Sequence, residues 1–161
     1  MTDVRPFPSS LSELVDGCRP VTGAAELDVH LAIRRAVFVA EQGLFGGTDA
    51  DEHDDDPATV HVLGFVRGQA AGTVRLYPLA GGLWHGDRLA VLPAFRRSHI
   101  GADLVRLAVG LAGDLGGTRM QARVQVPNVR FFRYLGWAPT APPDDHLGVA
   151  HQWMSIPLGR A

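Results

Sequence analysis

Two side chains near the middle of the chain have the chemistry of a proton acceptor. His85 and Asp87 lie in a mainly apolar segment, residues 84–92, whose pattern predicts a β-strand. Strand alternation would place His85, Asp87, Leu89 and Val91 on one face, with the two polar groups directed towards a substrate. The ordinary pKa of an imidazole suits general-base work at neutral pH. A solvated strand end explains the same two residues, so both interpretations stay open.

Glu41 is a third candidate base, and Cys18 is a weaker candidate nucleophile. Glu41 lies at the end of a predicted helix and would act through a water molecule; alternatively, it is a helix-end carboxylate held by the turn at Gln42–Gly43. Cys18 is the one cysteine of the chain, which excludes a disulfide framework and a multi-cysteine metal site. A half-buried thiol in a reducing compartment is the simpler interpretation of Cys18.

An arginine-rich turn between the strand and the following helix could bind phosphate. Arg96 and Arg97 precede Ser98, which has the residue type of a helix N-cap. Unpaired amides at a helix start carry the positive end of the helix dipole and bind phosphate oxygens. Gly101 and Ala102 would let a phosphate approach the backbone, and the arginines would add charge-assisted hydrogen bonds. An ordinary turn with two solvated arginines is the alternative, and this segment alone does not decide between them.

A dense run of acidic residues lies between residues 49 and 56. Its charge suits a cationic amine or a polyamine, but such runs are more often solvated loops, and we favour that interpretation. His53 lies inside the run, yet the carboxylates lack the spacing of a calcium loop, so we predict no metal site. His146 and His151 flank a predicted terminal hairpin, and we interpret them as surface residues or walls of an acceptor pocket.

Composition narrows the functional classes. The chain has 161 residues, of which 46% are hydrophobic and 20% charged, a balance typical of one globular domain. The formal net charge of −2 gives no reason to expect nucleic-acid binding. All 15 basic residues are arginines, so no lysine can form a Schiff base. With neither a secretory signal nor a membrane-spanning run of about 18 apolar residues, we expect a cytoplasmic protein.

Apolar periodicity predicts alternating strands and helices after a loose lead-in, residues 1–15. The predicted strands cover residues 19–22, 59–67, 70–78, 84–92, 118–126 and 149–156. The predicted helices cover residues 24–41, 98–115 and 128–135. Two successive hairpins would pair the second, third and fourth strands, and a helical crossover would add a parallel fifth. A terminal hairpin would begin at Trp137 and turn at Pro142–Asp145.

The strand, turn and helix over residues 89–102 resemble the acyl-CoA motif of the GNAT family, the Gcn5-related N-acetyltransferases. That motif follows a strand and reads Arg or Gln, two residues, Gly, one residue, then Gly or Ala. Arg96 matches its first position and Gly101 its last. His99 replaces the middle glycine, and its backbone N–H can still donate to phosphate.

A second segment, Asn128–Trp137, resembles the family's Asn…Phe-Tyr-x-x-Leu-Gly-Phe element. In the family, the Asn binds the pantetheine arm and the Tyr often protonates the departing thiolate. Asn128 matches, but Phe132 stands where the family has the Tyr. Tyr134, two residues further on, would face another side of the short helix and is a weak candidate for the acid.

Two further features support the resemblance. Arg34–Gly43 is similar to the family's Arg-x-x-Val-Phe-x-x-Glu-Gln element, and the order of predicted elements fits over residues 17–158. Trp84 and the segment Gly86–Val91 also resemble a GNAT subgroup associated with nitrogen-starvation gene clusters.

The resemblance implies an α/β (α+β) fold, with a mixed, mostly antiparallel sheet of six to seven strands flanked by about four helices. It implies one domain over residues 16–161, acetyl-CoA as co-substrate without a metal, and direct acyl transfer to a small-molecule amine. A homodimer paired through the terminal hairpin stays open.

The resemblance also assigns residues to the site. The fourth strand would diverge from the fifth, and the Val91 N–H would donate to the developing oxyanion. The implied CoA-binding residues are Leu89, Ala90, Val91, Arg96, Arg97, Ser98, His99, Ile100, Gly101, Ala102, Asn128, Phe131 and Phe132. The implied acceptor-side residues are Arg35, Phe38, Glu41, Trp84 and His151.

Two other functions compete with catalytic N-acylation. Phe132 in the tyrosine position favours a non-catalytic acyl-CoA sensor or interaction module with the same fold. An enzyme resembling acyl-homoserine-lactone synthases, which share the fold and a similar first helix, is the other alternative.

Overall fold

An eight-stranded sheet forms the centre of the structure, a computed structural model that describes residues 16–159. The predicted lead-in, residues 1–15, lies outside the described residues. The strands are β1 (Asp16–Pro20), β2 (Val60–Val66), β3 (Gln69–Pro78), β4 (Leu83–Val91), β5 (Arg119–Gln125), β6 (Ala138–Pro139), β7 (Asp144–His146) and β8 (Val149–Pro157). Their spatial order is β1-β2-β3-β4-β5-β8-β6, with β7 beside β8.

The predicted fold class is confirmed. The β4–β5 pair is parallel and the other pairs are antiparallel, as expected for two hairpins followed by a helical crossover. Within residues 16–159 there are three α-helices: α1 (Gly23–Arg34), α2 (Ile100–Asp114) and α3 (Val129–Tyr134). The periodicity that predicted one helix over 24–41 covers α1 and a π-helical continuation, Arg35–Glu41.

The sheet separates two apolar layers. On one side, Leu104 of α2 packs with Val62, Leu76 and Trp84 in the larger core. On the other side, the smaller core lies under α1 and its continuation, with five buried hydrophobic residues: Ile33, Val37, Phe38, Leu63 and Ala90. Neighbours such as Val62 and Leu63 enter opposite layers because successive strand side chains point to opposite faces. Among the described helices, none is long and apolar enough to cross a membrane.

A β-bulge in β4 changes which side chains share a face. Thr73 pairs with Ala90 and Arg75 with Asp87, so β4 contains one more residue than β3 in this interval. Arg88 adopts φ 56°, a left-handed conformation within the bulge. Leu89 therefore packs in the α2-side core, like Val91, while Asp87 lies on the α1 side with His85. The prediction that all four share a face is wrong, because simple alternation omits the inserted residue.

The terminal hairpin also turns later than predicted. Asp144 and Asp145 belong to β7, and His146 pairs with Val149 across a two-residue turn. The turn residues, Leu147 and Gly148, have φ values of 56° and 79°, which a tight hairpin with a glycine in the second position can accommodate. The predicted turn at Pro142–Asp145 is therefore wrong.

Candidate active site

A cavity opens where two central strands diverge. β4 and β5 pair from Leu83–Arg119 to Gly86–Ala122, and no pairing between them is found beyond that point among residues 16–159. A cavity of about 290 Å³ lies at this divergence, lined by side chains from both faces of the sheet. Backbone groups released from a ladder remain available to a ligand, because each must find a hydrogen-bond partner. The predicted divergence of the fourth and fifth strands is thus present in the structure.

The N-terminus of α2 exposes unpaired amides. The first i→i−4 bond of the helix runs from the Asp103 N–H to the His99 carbonyl, and the Ile100 N–H donates to Oγ of Ser98 at 3.2 Å. The amides of Gly101 and Ala102 precede this first helical bond and have no intrahelical acceptor. His99 adopts φ −85° and ψ 5°, which an L-residue accommodates, so the missing glycine of the motif does not distort the turn.

Arg96, the first residue of the predicted phosphate motif, is bound within the protein. Its Nη1 and Nη2 donate to both carboxylate oxygens of Glu41 at 2.7 and 2.6 Å, and its Nε donates to the Val91 carbonyl at 2.8 Å. The hydrogen bonds from Arg96 hold the pKa of Glu41 below its usual range. Glu41 is therefore a poor proton acceptor, and its negative charge opposes phosphate binding by Arg96.

His85 lines the cavity and contacts polar groups from two strands. Its Nδ1 lies 3.1 Å from Nε2 of Gln121, and its Nε2 lies 3.6 Å from Oδ2 of Asp87. Its ring centroid is 6.0 Å from that of Trp153. A side-chain amide can present either its NH₂ or its C=O group, so Gln121 can bond the neutral or the protonated ring.

The carboxylate of Asp87 forms an ion pair with a buried arginine. Arg75 is fully buried, and its Nε and Nη2 donate to Oδ1 and Oδ2 of Asp87, both at 2.8 Å. Burial alone would raise the pKa of Asp87, but the neighbouring His85 ring and the hydrogen bonds from Arg75 hold it well below its usual range. Asp87 thus stays ionised at neutral pH and is a poor general base.

The acidic run over residues 49–56 forms an internal ionic network. Nε of the fully buried Arg34 donates to Asp49 at 2.8 Å, and its Nη1 donates to Asp54 at 2.7 Å. Nη1 of Arg75 donates to Asp51 at 2.7 Å. The interpretation of a solvated loop is wrong for these three carboxylates, because buried arginines neutralise them. They are equally unavailable to a cationic substrate, and none of them lines the cavity.

Aromatic and polar residues from α3 and the terminal hairpin complete the cavity wall. Phe132 and Asn128 line it beside α3, and the Phe132 ring lies 5.3 Å from that of Trp137. His146 and His151 line it from the hairpin, with ring centroids 5.3 Å apart. The interpretation of these two histidines as pocket-wall residues agrees with this arrangement.

Comparison with known proteins identifies the family. The sequence matches the acetyltransferase (GNAT) family over residues 30–137, which is more than half of the chain. The chain belongs to the GNAT family. It is 26% identical over 141 residues to YyaT of Bacillus subtilis, covering 87% of this chain and 95% of that protein.

Solved structures show the same fold. Escherichia coli ElaA superposes with a TM-score of 0.78 at 20% identity, covering 88% of this GNAT chain and 99% of ElaA. BjaI, a CoA-dependent acyl-homoserine lactone synthase solved with SAM and isopentyl-CoA, superposes with a TM-score of 0.73 at 17% identity. That match covers 90% of this chain and 84% of BjaI. At these identities the likeness concerns the fold alone.

Several residues assigned from the GNAT resemblance lie outside the cavity wall. The guanidinium of Arg35 is exposed and donates to the Gly47 carbonyl at 2.8 Å. Trp84 is buried in the α2-side core, and Tyr134 is 81% exposed. An acid at Tyr134 and an acceptor wall at Arg35 and Trp84 are therefore not supported. Phe38 and His151 do line the cavity.

Cys18 is unsuited to act as a nucleophile. Burial, reinforced by the negative charge of Asp103, raises the pKa of its thiol to about 12. The thiol therefore stays protonated at neutral pH, and it packs against the α2-side core.

Two residues at or beside the GNAT cavity had no assigned role in the sequence: Gln121 and Arg123. Arg123 lines the cavity, and Gln121 contacts His85. A signal was present, because residues 119–125 alternate polar and apolar side chains. The polar face of this strand borders the divergence from β4.

Proposed function

We propose that this GNAT protein transfers an acyl group, by default acetyl, directly from an acyl-CoA to a small-molecule amine. The observation that carries the proposal is the cavity at the β4–β5 divergence, which is lined in part by Val105 and Ala108 of α2, a helix whose first amides are unpaired. A bound CoA thioester would supply an activated acyl carbonyl and a thiolate leaving group.

The residues present fit a CoA thioester. The amides of Gly101 and Ala102 would bind the diphosphate, because they have no helical acceptor and lie at the positive end of α2. Arg97 is exposed beside them and would add positive charge. Asn128 lines the cavity and would bond the pantetheine arm. The Glu41 pair weakens the contribution of Arg96 to this cradle.

Backbone N–H groups of β4 would stabilise the developing oxyanion. The Leu92 N–H donates to Ala71 of β3 at 2.9 Å, so alternation directs the Val91 and Leu89 N–H groups towards the opposite, open edge. Leu89, at the bulge, lines the cavity, whereas Val91 is absent from its wall. The Leu89 N–H is therefore a better-placed donor than the Val91 N–H that the resemblance suggested.

His85 would take the proton from the attacking amine, directly or through water. Its ring lines the cavity, and the Gln121 amide can bond Nδ1 whether that nitrogen accepts or donates. Asp87 and Glu41 are less suitable bases, because the arginines that pair with them lower the pKa of each carboxyl group and so weaken its affinity for a proton.

Thiol release from acetyl-CoA in the presence of an amine panel tests this function. We expect amine-dependent release, and we expect His85→Gln to lower kcat by about 10²-fold or more while CoA still raises the Tm. Tyr134→Phe removes an exposed hydroxyl outside the cavity and should leave kcat unchanged. Amine-dependent release at the wild-type rate in His85→Gln would exclude this base.

A non-catalytic acyl-CoA sensor is the second candidate, and one observation favours it. Phe132 occupies the position of the family's acid, and the described residues that line the cavity include no tyrosine. Stabilisation by acyl-CoA without thiol release for any amine would support the sensor. The nitrogen-starvation subgroup, the cytoplasmic location and the homodimer stay predictions.

A further inference from the structure

The charged side chains around the cavity indicate what kind of amine it accepts. Among the described residues that line it, Asp87 is the one carboxylate, while Arg88 and Arg123 are cationic. Both oxygens of Asp87 are held by Arg75. Arg88 is held by the side chain and the carbonyl of Asp49 at 2.8 and 2.9 Å. These two cavity charges are therefore already paired within the ionic network.

Arg123 is only partly paired. Its Nη2 donates to Oδ2 of Asp144 at 2.8 Å, and its Nη1 lies 3.1 Å from Nδ1 of His146. Its Nε is buried and has no hydrogen-bond partner. Leaving a buried donor unsatisfied is costly, and that cost disappears when a ligand oxygen accepts from it.

The unpaired Nε of Arg123 lies on the edge of the guanidinium that can donate two parallel hydrogen bonds to one carboxylate. Nε and Nη2 of an arginine point the same way, and Arg75 uses these two atoms to hold both oxygens of Asp87. In Arg123, Asp144 occupies Nη2 alone. The Asp144 side chain is 47% exposed and lies on the short strand β7, so a ligand carboxylate can displace it at small cost.

Trp153 connects this edge with the proposed base. The Arg123 guanidinium carbon lies 5.1 Å from the centroid of the Trp153 ring, and the His85 ring lies 6.0 Å from the same centroid. Arg123 and Gln121 alternate on the same face of β5, and Gln121 contacts His85. The carboxylate bound at Arg123 and the amine at His85 can therefore belong to one small molecule.

We propose that the acceptor is a small amino carboxylate, with its carboxylate bound by Nε and Nη2 of Arg123 and its amine directed to His85. This inference rests on the proposed function, and it replaces the polyamine that the acidic run suggested. Asp144 then holds Arg123 in place until the substrate carboxylate takes its position.

Matched acceptors test the proposal in the thiol-release assay. Alanine, methionine and phenylalanine are each compared with the corresponding carboxamide and decarboxylated amine, at saturating acetyl-CoA. We expect at least one amino acid to have a kcat/KM about 10-fold or more above its two analogues that lack the carboxylate. Arg123→Met should raise KM for that amino acid about 10-fold and leave KM for its carboxamide unchanged. Asp144→Asn should lower KM for the amino acid, because it removes the competing carboxylate.

Arg119→Met is the matched control on the same strand. Arg119 alternates onto the same face as Arg123, but it bonds Ser155 at 2.7 Å and does not line the cavity. Its kinetics should equal those of the wild type. Equal use of amino acids and their analogues without the carboxylate, or an equal rise in KM for both in Arg123→Met, would overturn the proposal.

Calorimetric titration of the same compounds in the presence of CoA separates this inference from the proposed function. Binding of an amino acid that depends on Arg123, without transfer to any amine, would support the carboxylate site and contradict the enzyme. Transfer only to amines that lack a carboxylate would support the enzyme and contradict the carboxylate site. If no amino carboxylate is either bound or acylated, the inference is overturned.

Discussion

Arg96 and Glu41 form a bidentate ion pair between the start of the α2 turn and the end of the first helix. The two N–O distances are 2.6 and 2.7 Å, and both side chains are well exposed. The sequence assigned one residue to phosphate binding and the other to the acceptor side. Under the proposed function, this pairing would make Glu41 reduce the positive charge that Arg96 presents to a diphosphate.

Removing the carboxylate of this pair should strengthen CoA binding. Glu41→Gln keeps the side-chain length but leaves the charge of Arg96 uncompensated near the proposed diphosphate site. We expect the Kd of CoA to fall about two- to fivefold at low salt, as for a single exposed charge contact, and the gain to shrink at high salt. Isothermal titration calorimetry measures the Kd of CoA for both proteins. Weaker binding by Glu41→Gln than by the wild type would show that the ion pair itself organises the turn.

The buried network should dominate the stability of the α1 side. Arg34→Gln would remove one of the cations that neutralise Asp49 and Asp54, leaving Arg88 beside the first and Arg75 beside the second. We expect the free energy of unfolding to fall by about 3 kcal/mol, the lower end of the range for breaking a buried ion pair. The neighbouring Arg35→Gln removes an exposed arginine and should cost less than about 1 kcal/mol. Urea unfolding of both variants checks the contrast, and similar losses would contradict the network's role.

His30 should make stability depend on pH. Burial, reinforced by the neighbouring His61 and Arg34 side chains, lowers the pKa of His30 from 6.5 to about 3. Between these values the unfolded chain binds a proton that the folded protein excludes, so the free energy of unfolding falls as the pH falls. The slope should reach about 1.4 kcal/mol per pH unit.

Urea unfolding of the wild type and His30→Gln between pH 7.5 and 4.5 measures this slope. The variant should show a flatter profile over this range. The lowered carboxyl pKa values of Asp54 and Asp87 do not confound the test. Groups of that kind lose their stabilising contribution only below the ordinary carboxyl pKa, near 4. Parallel profiles for the two proteins would contradict the assignment to His30.

The substitution Phe132→Tyr tests whether the lack of a general acid for the thiolate leaving group limits the reaction. Phe132 is 7% exposed and lines the cavity, so a hydroxyl there would be close to the proposed thiolate. We expect kcat for thiol release to rise by up to about 10-fold, below the range of evolved general acids. Phe131 does not line the cavity, so the matched control Phe131→Tyr should not raise kcat. A lower kcat in Phe132→Tyr with an unchanged Tm would show that the leaving group needs no added donor.

The order of elements could be predicted because apolar periodicity and turn residues are local properties of the sequence. The strand–turn–helix around Gly101 and the helix ending near Gly116 follow from such local signals. The bulge at Arg88 was not predictable in the same way, since its cause is the pairing of β4 with β3 and the ionic contacts of the Arg88 side chain.

The charged residues of the site were the hardest to assign from sequence. An acidic run has the same composition whether it is solvated or paired, and its pairing with Arg34 and Arg75 joins residues 15 to 24 positions apart. Arg123 was placed correctly on a half-buried strand, but its partial pairing depends on Asp144 in a hairpin whose turn was misassigned. Long-range partners, unlike periodicity, are not encoded within a short window.

A crystal structure of the protein soaked with CoA tests the central claim most directly. We predict diphosphate oxygens within hydrogen-bond distance of the Gly101 and Ala102 amides, and the pantetheine arm between the diverging ends of β4 and β5 beside Asn128. CoA bound elsewhere on the surface, with these amides and the divergence unoccupied at saturating ligand, would contradict the account.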